Sequence, residues 1–313
     1  MATLKTEWKS TKPNPDERHL KVLFKAETDN LKRSLSEERG LSRLKKTNIL
    51  PLVKGSGLKE GDVTKLLQKG AALSKKSLTA AERQLLKPSF DPKVLHDKDL
   101  KLAKANAELI SGPGNPSWSG FLWNPSYGGR WMSWNGEAEE VPNITFNFGG
   151  KRFDVRAQAW GEGWWDGDFS KVHGYFAYTF RPPSWGTVHI YVYPWLHGYY
   201  CLYSDDEWYN SEYARAVVDT WIDVHQNFWR ARRYQRRFTL AGGELHPSRC
   251  GRIDRQYGIH YYTNVGAGDT VTIRVGVHLY CYARASGGRS KLNFQAGVGN
   301  YVYVPYVYWY LHH

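Results

Sequence analysis

Five arginines and four large aromatic rings fall within eleven residues in Phe228-Trp-Arg-Ala-Arg-Arg-Tyr-Gln-Arg-Arg-Phe238. Arginine forks onto phosphate oxygens in pairs and lies flat on rings. Rings interleaved with guanidinium groups therefore suit a nucleic-acid strand or another anionic surface. Arg230, Arg232, Arg233, Arg236 and Arg237, with Tyr234, form the candidate anion site. In a strand, Arg230, Arg232 and Arg236 share a face with Phe228, Tyr234 and Phe238; in a helix, Arg230, Arg233 and Arg237 line up instead. The alternative without a ligand is a solvated strand whose arginine stems cover aromatic surface.

A second constellation is rich in tryptophan: Trp118, Trp123, Trp131 and Trp134, then Trp160, Trp164 and Trp165. Indole and phenol rings stack on sugar rings while their NH and OH groups bond hydroxyls. Asp166 and Asp168 lie close by in sequence and could complete a glycan site with Trp118, Trp123, Trp131, Trp134, Trp164 and Trp165. The same rings could instead plug the end of a barrel or bury a subunit interface.

The remaining chemistry is sparse. Asp166-Gly-Asp168 and Asp205-Asp-Glu207 offer paired carboxylates. They lack EF-hand spacing, and acids beside glycine are ordinary turn residues. No catalytic residue is assigned. His189, His197, His225, His260 and His278 lie on or near expected strands, so a pair could meet across a sheet; their spacing assigns no metal. No phosphate-loop, dinucleotide or nucleophile-elbow motif is present, and no cofactor is implied. Cys201, Cys250 and Cys281 are an odd, sparse set rather than a disulfide framework, and no spacing suits zinc.

Something must position these residues, and composition divides the chain in two. Residues 1–110 hold 24 Lys+Arg against 14 Asp+Glu, whereas the remainder holds 19 against 16. Trp8 is the only tryptophan before Trp118, and all 21 tyrosines lie beyond Ser111. The first part has few large side chains to offset its ordering entropy. It reads as a basic, lysine-rich arm with disorder over 1–26 and short helices, the last over 97–109. The breaker-rich segment Ser111-Gly-Pro-Gly-Asn-Pro116 marks the boundary.

From residue 111 to 313 the apolar period becomes 2. Val271, Ile273, Val275, Val277, Leu279, Cys281 and Ala283 alternate with Thr272, Arg274, His278, Tyr280, Tyr282 and Arg284. A strand buried on one side needs such alternation. Val188, Ile190 and Val192 alternate with Thr187, His189, Tyr191 and Tyr193. The run Tyr301–Leu311 is aromatic or β-branched on both faces, and Pro305 places it on an edge or at a bulge. Glycine-rich turns separate the runs. The expected fold is an antiparallel β-sandwich, jelly-roll-like, preceded by the arm.

Two functions follow from different classes. One is a non-enzymatic, lectin-like binding protein with Trp and Tyr platforms for a glycan or another polar ligand. The other is a shell or capsid-like subunit, a homo-oligomer whose basic arm binds nucleic acid. A delivered toxin or effector is the third reading. No run reaches the length of a membrane span, and the N-terminus lacks the apolar stretch of a Sec signal. A reducing cytoplasm is the expected compartment, with particle packaging or signal-less export as alternatives.

Overall fold

The computed structural model describes residues 3–10, 92–110 and 118–312, apart from 138–139, 162–166, 205, 208–209, 212, 227–229, 244–248, 285–286 and 296–298. Single positions between 21 and 85 are also described, each helical. The chain begins with β1 (Thr3–Ser10) and α1 (Pro92–Ile110). Then come β2 (Ser119–Leu122), β3 (Tyr127–Trp134), β4 (Asn143–Asn147), β5 (Arg152–Trp160) and β6 (Gly167–Phe180). Next are β7 (Gly186–Val192), β8 (Trp195–Tyr203), β9 (Asp206–Glu207), β10 (Asn210–Ser211), β11 (Tyr213–Gln226) and β12 (Arg230–Gly243). The last are β13 (Arg249–Gln256), β14 (Ile259–Val265), β15 (Val271–Arg284), β16 (Arg289–Phe294), β17 (Tyr301–Tyr303) and β18 (Val307–His312).

These strands build an antiparallel sandwich. One layer is a six-stranded sheet in the order β1-β3-β6-β15-β11-β12. The other contains β13-β8-β16-β5 with β4 beside β5, and β14-β7-β18-β2. The second layer is two hydrogen-bonded sheets joined by consecutive strands. β16 and β17 occupy one position end to end, each pairing with both β5 and β8. Three strands then bend from one half into the other: β8 against β7 at Pro194, β17 into β18 at Pro305, and β13 into β14 at Gly258. Tyr257 N donates to Pro194 O across one bend at 2.9 Å. Pro305 was expected on an edge or bulge. It lies instead within a central strand position, tolerated because the strand breaks there and no ladder bond is asked of its nitrogen.

The alternation fixes the core. Val271, Ile273, Val275, Val277, Leu279, Cys281 and Ala283 are all buried, facing Phe153, Val155, Ala157 and Ala159 of β5. Cys281 Sγ donates to Ala157 O at 3.3 Å between the layers. Each fully buried Val, Ile or Leu contributes roughly 1.5–3 kcal/mol of transfer free energy. At Gly276 a side chain would collide with the Trp221 ring and with Gly174 O, so the glycine lets the indole lie across β15.

Two readings are corrected here. The disorder expected over 1–26 does not hold at Thr3–Ser10, which pairs in full register with β3 as a sheet-edge strand. The cysteines do form a disulfide: Cys201 and Cys250 sit at directly paired positions of β8 and β13 and are bonded. Their separation in sequence hid a pairing that only the sheet register creates. The outer face of β15 is partly accessible, as one-sided burial of the strand requires. Tyr280, Tyr282 and Arg284 are half-buried, but Arg274 is 3% exposed and ion-paired to Asp223 at 2.5 Å.

The expected helix near 97–109 is α1. Asp99, Ala103 and Ala107, four residues apart, are its buried stripe. Ala103 and Ala107 pack on Tyr306 and Tyr308. The Tyr301 hydroxyl donates to Asp99 Oδ2 at 2.7 Å, and His197 Nε2 lies 2.8 Å from the same oxygen. The N-terminal part touches the sandwich elsewhere too. Phe24 stacks on Trp131, Trp131 Nε1 donates to Thr28 Oγ1, and Glu82 accepts from Tyr199 and Lys291.

Candidate functional site

The outer face of β14-β7-β18-β2 carries a continuous field of rings. Strand alternation builds it. In β7, Val188, Ile190 and Val192 are buried while Thr187, His189 and Tyr191 point away from the core. In β14, Ile259 and Val265 are buried while His260, Tyr262 and Asn264 are exposed. In β18, Val307 and Leu311 belong to the core, and Trp309 stacks on Phe180 beneath the sheet. Tyr308 and Tyr310 therefore share the outer face with Phe121 of β2, which is directly opposite Tyr308.

The register brings the rings together. His189 faces Tyr262 and Tyr310, while Tyr191 faces His260 and Tyr308. His189 stacks on Tyr310 at 4.6 Å with planes 6° apart, and Tyr191 on His260 at 4.3 Å and 16°. His189 Nδ1 lies 3.2 Å from His260 Nε2. Tyr262 lies against both imidazoles, at 5.7 Å and 6.1 Å. It stands on β14, the end strand of this sheet, and is 63% exposed. Towards the bend the field continues through Tyr308, Phe121, Tyr306 and Trp123. There α1 covers it; at the far end His260 and Tyr262 stay open.

Because neighbours stack face to face, the interior rings present their edges outward. Those edges are polar: imidazole nitrogens and phenol oxygens, each a donor or acceptor. Burial lowers the pKa of His189, helped by the charges of His260 and His312, and burial lowers that of His260. Both imidazoles thus take up a proton less readily than an ordinary histidine. Burial and a hydrogen bond with Tyr310 push the Tyr191 hydroxyl up to about 12, so it keeps its proton. The result is a hydrogen-bonding surface with an exposed ring at its margin.

Among the described residues, the tryptophans singled out in sequence stand apart from one another. Trp131 and Trp134 stand on opposite faces of β3. Trp134 joins the main core under Lys5, while Trp131 joins Tyr127, Tyr175 and Trp221 on the outer face of the large sheet. Trp123 is half-buried beneath the Lys151 ammonium, 4.9 Å from its ring. Trp118 is 43% exposed, and its carbonyl accepts from Leu311 N. Asp168 is buried on β6 opposite Ala283. Trp164, Trp165 and Asp166 lie outside the described residues, as do Asp205 and the segment 111–116.

The arginine run is a strand, β12, at the end of the six-stranded sheet. Its backbone alone is described. Arg233 and Arg237 pair with Asp223 and Asp219 of β11, whereas Arg230, Arg232, Tyr234 and Arg236 pair with Gln226, Val224, Ile222 and Thr220. The five arginines thus divide between two faces of the sheet. The ring field of β7, β14 and β18 was not assembled from sequence. Its signals were there in the alternation of Thr187, His189 and Tyr191 and in the five histidines placed on strands.

No family model matches the chain, and no curated protein matches it. Among solved structures it is similar to TmCBM61 bound to beta-1,4-galactotriose, at 10% identity and a TM-score of 0.21, covering 58% of this chain and 88% of that one. It is similar to the CBM22-2 xylan-binding domain of Xyn10C from Paenibacillus barcinonensis, at 12% identity and 0.16, covering 56% and 94%. It is also similar to Eiger TNF from S. frugiperda, at 12% and 0.17, covering 46% and 93%. Likenesses this slight carry no argument about function.

Proposed function

We propose that this chain is a non-enzymatic β-sandwich binding protein that recognises a polyhydroxylated ligand, a glycan, on the outer face of β14-β7-β18-β2. The observation that supports it is the contiguous field His189, Tyr191, His260, Tyr262, Tyr308 and Tyr310, open at Tyr262. Ring edges supply donors and acceptors for sugar hydroxyls. The exposed Tyr262 ring supplies an apolar face for sugar C–H groups. Rigid rings lose little side-chain entropy on binding, so such a surface is efficient.

The test is a glycan array probed with the full chain and with Tyr262→Ala. The reading expects a restricted set of glycans to bind, and a loss of roughly 1–2 kcal/mol in the variant, the order of one ring contact. Absence of any glycan, or equal binding by the variant, would overturn it.

A second reading is favoured by one observation: β12 places five arginines on a strand that ends its sheet. An anion such as single-stranded nucleic acid would meet that edge, as in a shell subunit. Binding would then weaken with salt, by a slope of about −0.7 per phosphate contact. Changing Arg232 and Arg236 together to Ala would flatten it by about 0.7 each if both touch phosphate. An unchanged slope would remove these two from the contact.

A further inference from the structure

His189 and His260 are two imidazoles on neighbouring strands with ring nitrogens 3.2 Å apart. Two nitrogens about 2.0–2.1 Å from one tetrahedral zinc stand roughly 3.3 Å apart. The spacing of the pair is therefore already that of two ligands on a single ion. We infer that His189 Nδ1 and His260 Nε2 form a two-ligand site for a divalent transition-metal ion, Cu2+ or Zn2+. Imidazole is the protein ligand that suits these ions.

The chemistry balances without an added reactant. In the metal-free pair one imidazole donates its N–H to the other. To bind the ion, the donor ring moves that proton to its other nitrogen. His189 then keeps Nε2–H and His260 keeps Nδ1–H, and both facing lone pairs go to the metal. This tautomer shift moves a proton within one ring and releases none.

The supports of the pair are already in place. The rings of Tyr310 and Tyr191 stack on His189 and His260 at 4.6 Å and 4.3 Å and limit their rotation. His260 is exposed, so an ion has access. Among the described residues no set of three His, Cys, Asp or Glu forms a metal cluster. The remaining coordination positions would thus be open to water or to an oxygen ligand. His312 lies on the next strand opposite Thr187 and is not part of the proposed pair.

The pair belongs to the same ring field as the proposed glycan face, so the Tyr262→Ala array is run with chelator present and tests the glycan reading by itself. Here the full chain is titrated with Cu2+, and the bound ion is examined by electron paramagnetic resonance. The inference expects a tight site of one Cu2+ per chain with hyperfine coupling to two imidazole nitrogens. His189→Gln and His260→Gln should each weaken it by at least about tenfold, while His312→Gln leaves it unchanged. Circular dichroism melts of the same variants separate lost ligation from lost fold. In folded variants, undiminished affinity after either substitution at the pair would overturn the inference. So would a loss in His312→Gln as large as theirs.

Discussion

His189 and His260 meet diagonally across β7 and β14, with ring planes 5° apart. Neither faces the other directly: His189 is opposite Tyr262, and His260 opposite Tyr191. The diagonal contact exists because each imidazole leans on a stacked tyrosine. Four rings thereby become one rigid unit on a sheet face that would otherwise be solvated.

This coupling has a titration signature. Burial lowers the His189 pKa first, and the charge of His260 lowers it further. His260→Ala removes that charge and part of the cover, so the His189 pKa should rise towards the ordinary value. Proton NMR of the imidazole signals between pH 4 and 8 would check it. An unmoved or lowered pKa would show that the rings are not coupled.

Arg274 should matter as much as its core neighbours. Its guanidinium lies over Tyr175 at 4.9 Å and Trp221 at 5.9 Å and pairs with Asp223. Arg274→Ala leaves a buried carboxylate without this partner and should cost about 3–5 kcal/mol. Ile273→Ala, which opens a cavity, should cost about 2–5 kcal/mol. Urea unfolding compares the two. A loss below 1 kcal/mol for Arg274→Ala would mean that Asp223 does not depend on it.

The disulfide should be a measurable part of the stability. Cys201 and Cys250 are 49 residues apart in sequence. Closing a loop of that size stabilises a fold by about 2–4 kcal/mol through the unfolded state. Reduction with dithiothreitol, or the double variant Cys201→Ser and Cys250→Ser, should lower the urea midpoint accordingly. Identical midpoints would show that the bond contributes nothing.

Much of the architecture was legible because period-2 alternation is a direct consequence of a one-sided core. Val271 to Ala283 and Val188 to Val192 declared their buried faces without help from the fold. What escaped was what depends on register. Nothing local tells Cys201 that Cys250 is its partner, or tells His189 that His260 will lie 3.2 Å away. Thr3–Ser10 reads as a polar tail because its strand is defined by pairing with β3, which its local sequence does not announce. Trp131 and Trp134 are separated for a related reason. They are three residues apart, which in a strand puts them on opposite faces.

The central claim is that the ring face of β7, β14 and β18 receives the ligand. Chemical-shift mapping of the full chain, with labelled Tyr and His side chains, tests it most directly. A glycan that binds on the array would be titrated in, with chelator present. The account predicts that the largest shifts fall on Tyr262, His260, Tyr191, His189 and Tyr310, and that saturation is lost in Tyr262→Ala. Shifts centred instead on Trp131, Tyr175 and Trp221 across the sandwich, with those five signals still, would contradict it.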